Sequence, residues 1–289
     1  MPESPKTIAE VLAAAGEYLA GKGLDDARPA VELLVARLLN CRRLELPLRA
    51  QAVLPENLLA ALRRGVRRVA GGEPVQYVLG QWDFMGRTFK VDRRALIPRP
   101  DTECLVAAVL ACAPLWAQGR PAIVDIGTGS GCIAISLALA RPDGLYIGLD
   151  VSGDALALAR ENAAALGVAD RIAFTGADLC DTVEPEMLDA VVSNPPYVRT
   201  ADFEKLPVHI RCHEPRLALD GGPDGLTVIE GIVQDAAIAL KNGGRLFLEI
   251  GWDQAAAVKA LFAQAGFDGV HVGPDLAGRD RVVAGVLAR

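Results

Sequence analysis

Apolar residues recur at helical spacing through the first quarter of the chain: Ile8, Val11, Leu12 and Ala15, then Val31, Leu34, Val35, Leu38 and Leu39, then Leu58, Leu59 and Leu62. Pro29, Pro47, Pro55 and the pair Gly71-Gly72 punctuate these stretches. The pattern predicts a small helical bundle over residues 1–72. Trp82 to Val91 then alternates around Gly86-Arg87, which predicts a β-hairpin inside a linker spanning 73–101. From 102 to 289 short apolar runs alternate with helical stretches. That order predicts an α/β domain, a Rossmann-like and mostly parallel sheet with helices on both faces. The last two runs, Gly269 to Val272 and Arg281 to Leu287, are expected to add an antiparallel edge.

The ends of the predicted strands carry the chemistry, as ligands of such sheets gather at the carboxyl ends. The first run, Ala122 to Ile126, leads into Gly127-Thr128-Gly129-Ser130-Gly131 and then an apolar helix, Cys132 to Ala140. Spaced glycines let the chain bend sharply and let a ligand approach where no Cβ stands. The helix start offers free N–H groups. A dinucleotide fingerprint would need Gly-x-Gly-x-x-Gly, but Cys132 occupies the third glycine position. No Gly-Lys-Ser/Thr follows, so a phosphate loop is excluded. The spacing fits a loop that wraps a nucleoside carrying an amino-acid tail.

Asp150 ends the second run, Leu145 to Asp150, about 20 residues further on, where a carboxylate can accept both hydroxyls of an unphosphorylated ribose. Asp150 could instead cap the next helix, but Ser152 and Asp154 suit that role better. The third run, Arg171 to Thr175, is followed by Asp178, placed to meet an adenine amino group.

The fourth run, Leu188 to Ser193, ends in Asn194-Pro195-Pro196-Tyr197. The prolines fix their own φ, supply no N–H and hold the preceding residue extended. The Asn194 and Pro195 carbonyls thus become outward acceptors, Asn194 adds a side-chain acceptor, and Tyr197 adds a planar wall. That set suits a flat group bearing an NH₂, a carboxamide or the exocyclic amine of a base. A strand followed by an ordinary Pro-Pro turn is the plain reading of the tetrapeptide alone. Together, the glycine loop, the two acids and Asn-Pro-Pro-Tyr, each after its own strand, resemble a class I S-adenosyl-L-methionine-dependent methyltransferase acting on nitrogen.

The chain resembles the release factor glutamine methyltransferases more narrowly. The segment Leu96-Ile97-Pro98-Arg99-Pro100-Asp101-Thr102-Glu103 is similar to the one that precedes the methyltransferase domain in that family. So are His213-Glu214-Pro215-Arg216-Leu217-Ala218-Leu219, Leu248-Glu249-Ile250-Gly251-Trp252 and Gly278-Arg279-Asp280-Arg281-Val282-Val283. The likeness covers roughly Gly72 to the C-terminus. Related enzymes that methylate a ribosomal-protein glutamine are expected to carry Ser after the Pro-Arg pair. At Leu179 some relatives place an aromatic beside the adenine.

The resemblance implies methyl transfer from S-adenosyl-L-methionine, leaving S-adenosyl-L-homocysteine, to the glutamine of a Gly-Gly-Gln tip in peptide-chain release factors. It implies a cofactor site of Gly127, Thr128, Gly129, Ser130, Gly131, Asp150, Asp178, Leu179 and Asn194. Asn194, Pro195, Pro196 and Tyr197 would hold the substrate, and Asn194, Pro195 and Tyr197 would serve catalysis. The helical segment 1–72 would recognise the protein substrate. Neither metal nor direct nucleic-acid binding is required, and a monomer is expected.

Composition narrows the alternatives. The net charge of −6 argues against a nucleic-acid backbone as main partner, since phosphate binding draws on clustered Lys and Arg. It therefore weighs against an adenine or guanine amino methyltransferase, which would use the same tetrapeptide on a flipped base. Arg63-Arg64 and Arg67-Arg68 form one basic cluster, a solvated helix face that could also meet an acidic partner or RNA. Intact Asn194 and Tyr197 argue against a catalytically silent binding protein.

Although hydrophobic residues make up 51%, no charge-free run reaches the ~18 residues of a spanning helix. Met1 to Lys6 shows no signal segment. Six scattered cysteines without a Cys-x-x-Cys pair read as reduced thiols of a cytoplasmic protein. His209 and His213, four apart beside Glu214, have metal-ligand spacing, but bracketing prolines and the lack of a third ligand make them surface-loop residues. His271 falls in a predicted strand and is structural. Asp220-Gly221-Gly222-Pro223-Asp224-Gly225 reads as a turn that closes the region behind Asn-Pro-Pro-Tyr and shapes the substrate entrance.

Overall fold

The computed structural model describes residues 6–117, 119–180 and 183–289. Met1 to Pro5, the start of both the predicted bundle and the stretch read as free of a signal, lie outside the described residues. The chain divides into two compact units, Met1–Gly80 with Val208–His213, and Gln81–Pro207 with Glu214–Arg289.

The first unit includes the helices α1 (Ile8–Ala20), α2 (Ala27–Leu38), α3 (Glu56–Ala70) and the short α4 (Val75–Leu79). Thr7 starts α1 with a capping box: its hydroxyl accepts from Glu10 N–H, while the Glu10 carboxylate accepts from Thr7 N–H at 2.8 Å. In α3, Leu59, Leu62, Val66 and Val69 make a buried stripe, and Arg63, Arg64, Arg67 and Arg68 lie exposed on the other side. Arg63 pairs with Glu56 and Arg68 with Glu73. The unit does not stop at Gly72. Val75, Val78 and Leu79 pack on the same core as Val31, Leu34 and Val66, which carries the unit on to Gly80.

The second unit opens with the expected hairpin, β1 (Gln81–Phe84) and β2 (Arg87–Lys90), with Phe84 opposite Arg87 across the Met85-Gly86 turn. Its rings Phe84 and Phe89 are buried edge to face in the core of this unit. After α5 (Pro100–Ala111) come β3 (Ala122–Ile126), α6 (Cys132–Ala140), β4 (Leu145–Asp150), α7 (Gly153–Ala165), β5 (Ile172–Gly176) and β6 (Leu188–Ser193). The chain ends with α8 (Thr227–Ala239), β7 (Leu240–Glu249), α9 (Ala255–Gln264), β8 (Phe267–Pro274) and β9 (Asp280–Leu287).

The seven strands lie in the order β5-β4-β3-β6-β7-β9-β8. The first five are parallel, and β9 enters antiparallel between β7 and β8, as the last two apolar runs led one to expect. Strand β6 is buried along its whole length, because its alternate residues feed two different cores. Ala190 and Val192 face the layer of α5 and α6 with Leu105, Ile133 and Leu137. Val191 faces that of α8 and α9 with Ile229, Val233 and Phe262. A sheet covered on both faces leaves its carboxyl edge as the place for a ligand. No helix among the described residues is long and apolar enough to cross a membrane.

Candidate active site

The carboxyl ends of β3, β4, β5 and β6 surround a cavity of about 370 Å³. Its wall takes in Gly127 to Ser130, Asp150, Asp178, Leu179 and Asn194 to Pro196, so residues from all four strand-end segments converge. Of the site residues read from the sequence, Gly131 and Tyr197 do not contribute to this wall.

Gly131 sits one step behind it, at the start of α6, with φ +80°. A Cβ there would stand 2.8 Å from Ile135 Cδ1, so the turn needs glycine for conformation and for space. The loop is braced from below by Asp125, a buried acid in the otherwise apolar β3. Its Oδ2 accepts from the Thr128 hydroxyl at 2.7 Å and from Ala134 N–H at 3.2 Å. Burial pushes the Asp125 carboxyl up to about 7, against the pull of those two hydrogen bonds.

Asp150 closes β4. Its Oδ2 accepts from Gly129 N–H at 2.9 Å and its Oδ1 from Ser152 N–H at 2.8 Å. Each oxygen of an ionised carboxylate has a second lone pair, so both remain able to accept a hydroxyl from the cavity. Ser152 is the N-cap of α7, its Oγ accepting from Ala155 N–H at 3.2 Å. Asp178 and Leu179 follow β5; Leu179 has φ +53°, and its side chain packs on the core under α8 while facing the cavity.

After β6, Asn194 Nδ2 donates to Thr102 Oγ1 at 3.1 Å, and Oδ1 is left without a protein partner among the described residues. Thr102 belongs to α5 and is buried. The Tyr197 hydroxyl turns inward and donates to Glu249 Oε1 at 3.2 Å. Burial and the facing Glu249 hold that phenol above its ordinary pKa.

The backbone of the tetrapeptide is clamped from outside by the predicted turn. Val198 bridges to Asp220, Gly221 N–H donates to the Val198 carbonyl at 2.8 Å, and Gln254 Nε2 donates to the carbonyls of Tyr197 and Gly225. A Cβ at Gly221 would lie 2.5 Å from the Pro196 carbonyl oxygen, so only glycine lets the turn approach this closely. Asp220 itself reaches the cavity wall.

Ile97-Pro98-Arg99 forms another part of the wall. It is tied down by the buried Glu214, which accepts from Arg99 at 2.5 Å and from Ile97 N–H at 3.1 Å. His209 is exposed and His213 half-buried, and no group of three metal-ligating side chains occurs among the described residues.

Asp125, Thr102, Glu214, Glu249 and Gln254 also support the site, without a role legible in the motifs. A signal existed for two of them: Asp125 and Glu249 are lone acids in runs that otherwise read Ile-Val-x-Ile and Leu-Phe-Leu-x-Ile. The other three depend on which loops meet, which spacing alone does not show.

Known proteins share the fold and much of the sequence of this chain. A methyltransferase from Pyrococcus furiosus, 14% identical, superposes with a TM-score of 0.54 over 81% of this chain and 100% of its own. The fold is that of a class I methyltransferase. Residues 10–80 match the PrmC N-terminal domain family and residues 106–211 the Methyltransferase small domain family. Release factor glutamine methyltransferases from Geobacter sulfurreducens and Cereibacter sphaeroides are 42% and 40% identical, covering 99% and 96% of this chain and 99% and 98% of theirs. A third, from Neisseria gonorrhoeae, is 42% identical over 89% of this chain and 93% of its own. The chain belongs to the release factor glutamine methyltransferase family.

Proposed function

We propose that this protein methylates the side-chain amide nitrogen of the Gly-Gly-Gln glutamine in peptide-chain release factors, with S-adenosyl-L-methionine as donor. The observation that carries the reading is Asn194. Its NH₂ is engaged by Thr102, which leaves Oδ1 on the cavity wall to accept an N–H from the acceptor amide.

The residues present fit the cofactor. At Gly127 a Cβ would meet nothing within 4 Å, so the loop leaves room for a bound group, and Asp150 keeps acceptor capacity for two ribose hydroxyls. Asp178 and Leu179 would flank the base. When bound, the sulfonium supplies an electrophilic methyl group. The protein's own part is orientation. An amide nitrogen is a poor nucleophile because its lone pair is shared with the carbonyl. Asn194 Oδ1 and the Pro195 carbonyl would each accept one N–H and turn the nitrogen towards the methyl. A near-attack arrangement of this kind supplies most of the acceleration.

In this reading Pro196 keeps the turn rigid, and Tyr197, which does not line the cavity, anchors the far end of the turn through its hydroxyl bond to the buried Glu249. The helical unit recognises the folded release factor. The enzyme acts as a monomer in the cytoplasm without metal or nucleic acid; scattered cysteines without a Cys-x-x-Cys pair support a reducing compartment.

The test is incubation with labelled S-adenosyl-L-methionine and, in parallel, purified release factor, ribosomal protein and RNA, followed by mapping of the label. Label on the Gly-Gly-Gln glutamine is expected. Label confined to RNA would overturn the reading in favour of a base amino methyltransferase, and label confined to the ribosomal protein would change the substrate.

A further inference from the structure

Glu249 is the last residue of β7, fully buried at 0% exposure, and outside the cavity wall. It therefore touches neither cofactor nor acceptor, yet it stands behind both ends of Asn194-Pro195-Pro196-Tyr197. The Tyr197 hydroxyl donates to its Oε1, and the Thr102 hydroxyl bears on the same carboxyl group. Thr102 Oγ1 is in turn the acceptor for Asn194 Nδ2. Among the described residues Glu249 Oε2 makes no hydrogen bond, nor does the neighbouring Arg281 Nε. A strand that runs Leu246-Phe247-Leu248 into the core gains nothing in stability from such an acid, whose burial is costly unless it is fully partnered.

We propose that Glu249 is a positioning residue for methyl transfer, acting through Thr102 to fix which end of the Asn194 carboxamide faces the acceptor and through Tyr197 to hold the far end of the turn. The proposal rests on the role given to Asn194 above. Its logic is the direction of one hydroxyl. Thr102 has a single hydrogen to donate. When that hydrogen points to an ionised Glu249, the oxygen can only accept, so Asn194 must offer it NH₂ and turn Oδ1 outward. When Glu249 is protonated, the acid has a hydrogen of its own to place among the same hydroxyls. Thr102 is then released to donate towards Asn194, the carboxamide turns over, and its NH₂ confronts the NH₂ of the acceptor.

Burial pushes Glu249 up to about 7, opposed by the Thr102 hydroxyl, Arg281 and the Tyr197 hydroxyl, and reinforced by Asp101. The other charged or titratable groups around it are Cys104 on α5, Cys132 on α6 and Asp275, which pairs with Arg281. The ionised form is the working one, so turnover falls as pH drops through about 7.

Two variants that preserve shape test this in the full-length enzyme with intact release factor. Thr102→Val is expected to lower kcat by about tenfold or more with cofactor affinity within about threefold of the parent, and Thr102→Ser to recover most of the loss. Glu249→Gln is expected to fold and to lose the inflection near neutral pH from the kcat profile. Asn194→Ala serves as the control. The proposal is overturned if Asn194→Ala abolishes turnover while Thr102→Val stays within about twofold of the parent. It is overturned equally if the inflection persists in Glu249→Gln. Turnover retained by Asn194→Ala would remove the site reading itself, and this proposal with it.

Discussion

The helical unit and the sheet unit keep their polar side chains in opposite places. Every buried polar or charged side chain among the described residues belongs to the sheet unit, Asp125, Asn162, Asp189, Glu214, Glu249 and Arg281 among them. Over residues 6–80 the buried set is apolar, and ion pairs such as Arg63–Glu56 and Arg68–Glu73 stay at the surface. An apolar stripe is enough to make a bundle. A site for a charged cofactor needs acids and hydroxyls fixed inside low-polarity surroundings, where they cost stability and gain directional strength. The contrast thus locates chemistry in one unit and leaves the other a surface to offer.

The largest effect expected on the sheet side is at Asn194. Asn194→Ala removes the outward acceptor but no wall of the cofactor loop. Turnover on release factor should fall by more than about 100-fold, with cofactor affinity changed by less than about threefold. Steady-state kinetics beside calorimetry reads both. Near-parental turnover would break the assignment of chemistry to this strand end.

On the helical side, removing residues 1–80 should lower methylation of intact release factor by about 30-fold or more while cofactor binding stays measurable. The cavity wall consists only of sheet-unit residues, and that unit has its own two cores. The cut belongs at Gly80 because α4 shares the helical core. A short Gly-Gly-Gln peptide should be a poor substrate for both forms. Loss of cofactor binding along with methylation would make the helical unit a folding element instead.

A smaller effect falls on the cofactor alone. Asp150→Ala takes away two hydroxyl acceptors and also frees the N–H groups of Gly129 and Ser152. Affinity for S-adenosyl-L-methionine should weaken by about 1.5–3 kcal/mol, the scale of hydrogen bonds to a charged group. Unchanged calorimetric affinity would show that Asp150 does not hold the ribose.

The two units also differ in what their sequence made legible. The bundle, the hairpin, the parallel sheet and its antiparallel edge follow from periodicity, because each element buries one face and one spacing reports it. Residues that line the cavity were legible for a related reason: Gly127 to Ser130, Asp150, Asp178 and Asn194 stand at or just after strand ends, and parallel order brings strand ends together. Thr102 with Glu249, Glu214 with Arg99, and Gln254 with the Tyr197 carbonyl were not. Those partners lie 57 or more positions apart in the chain and meet through loop crossings that no local pattern encodes. The inward turn of the Tyr197 hydroxyl escaped for the same reason: an aromatic after Pro-Pro looks exposed until the acid behind it is known.

The subtlest way to sharpen the contrast is through pH, because only the sheet unit buries acids. Asp125 has its pKa raised from 3.8 to about 7 on folding. A raised carboxyl adds stability that is complete below its unfolded pKa and is lost as pH climbs through the folded one. Between about 4 and 7, therefore, the parent protein loses stability through this group, and above 7 it holds a buried carboxylate with one oxygen unpartnered among the described residues. Asp125→Asn keeps an oxygen for Thr128 and Ala134 and cannot ionise. Its thermal midpoint relative to the parent should rise as pH goes from 4 to 8, by about 2–4 °C for each kcal/mol of the burial cost removed. Midpoints measured by scanning calorimetry at several pH values, without cofactor, give that difference directly. A difference that stays flat across the range would mean that Asp125 titrates as an ordinary surface acid, and that the glycine loop does not rest on a buried charge.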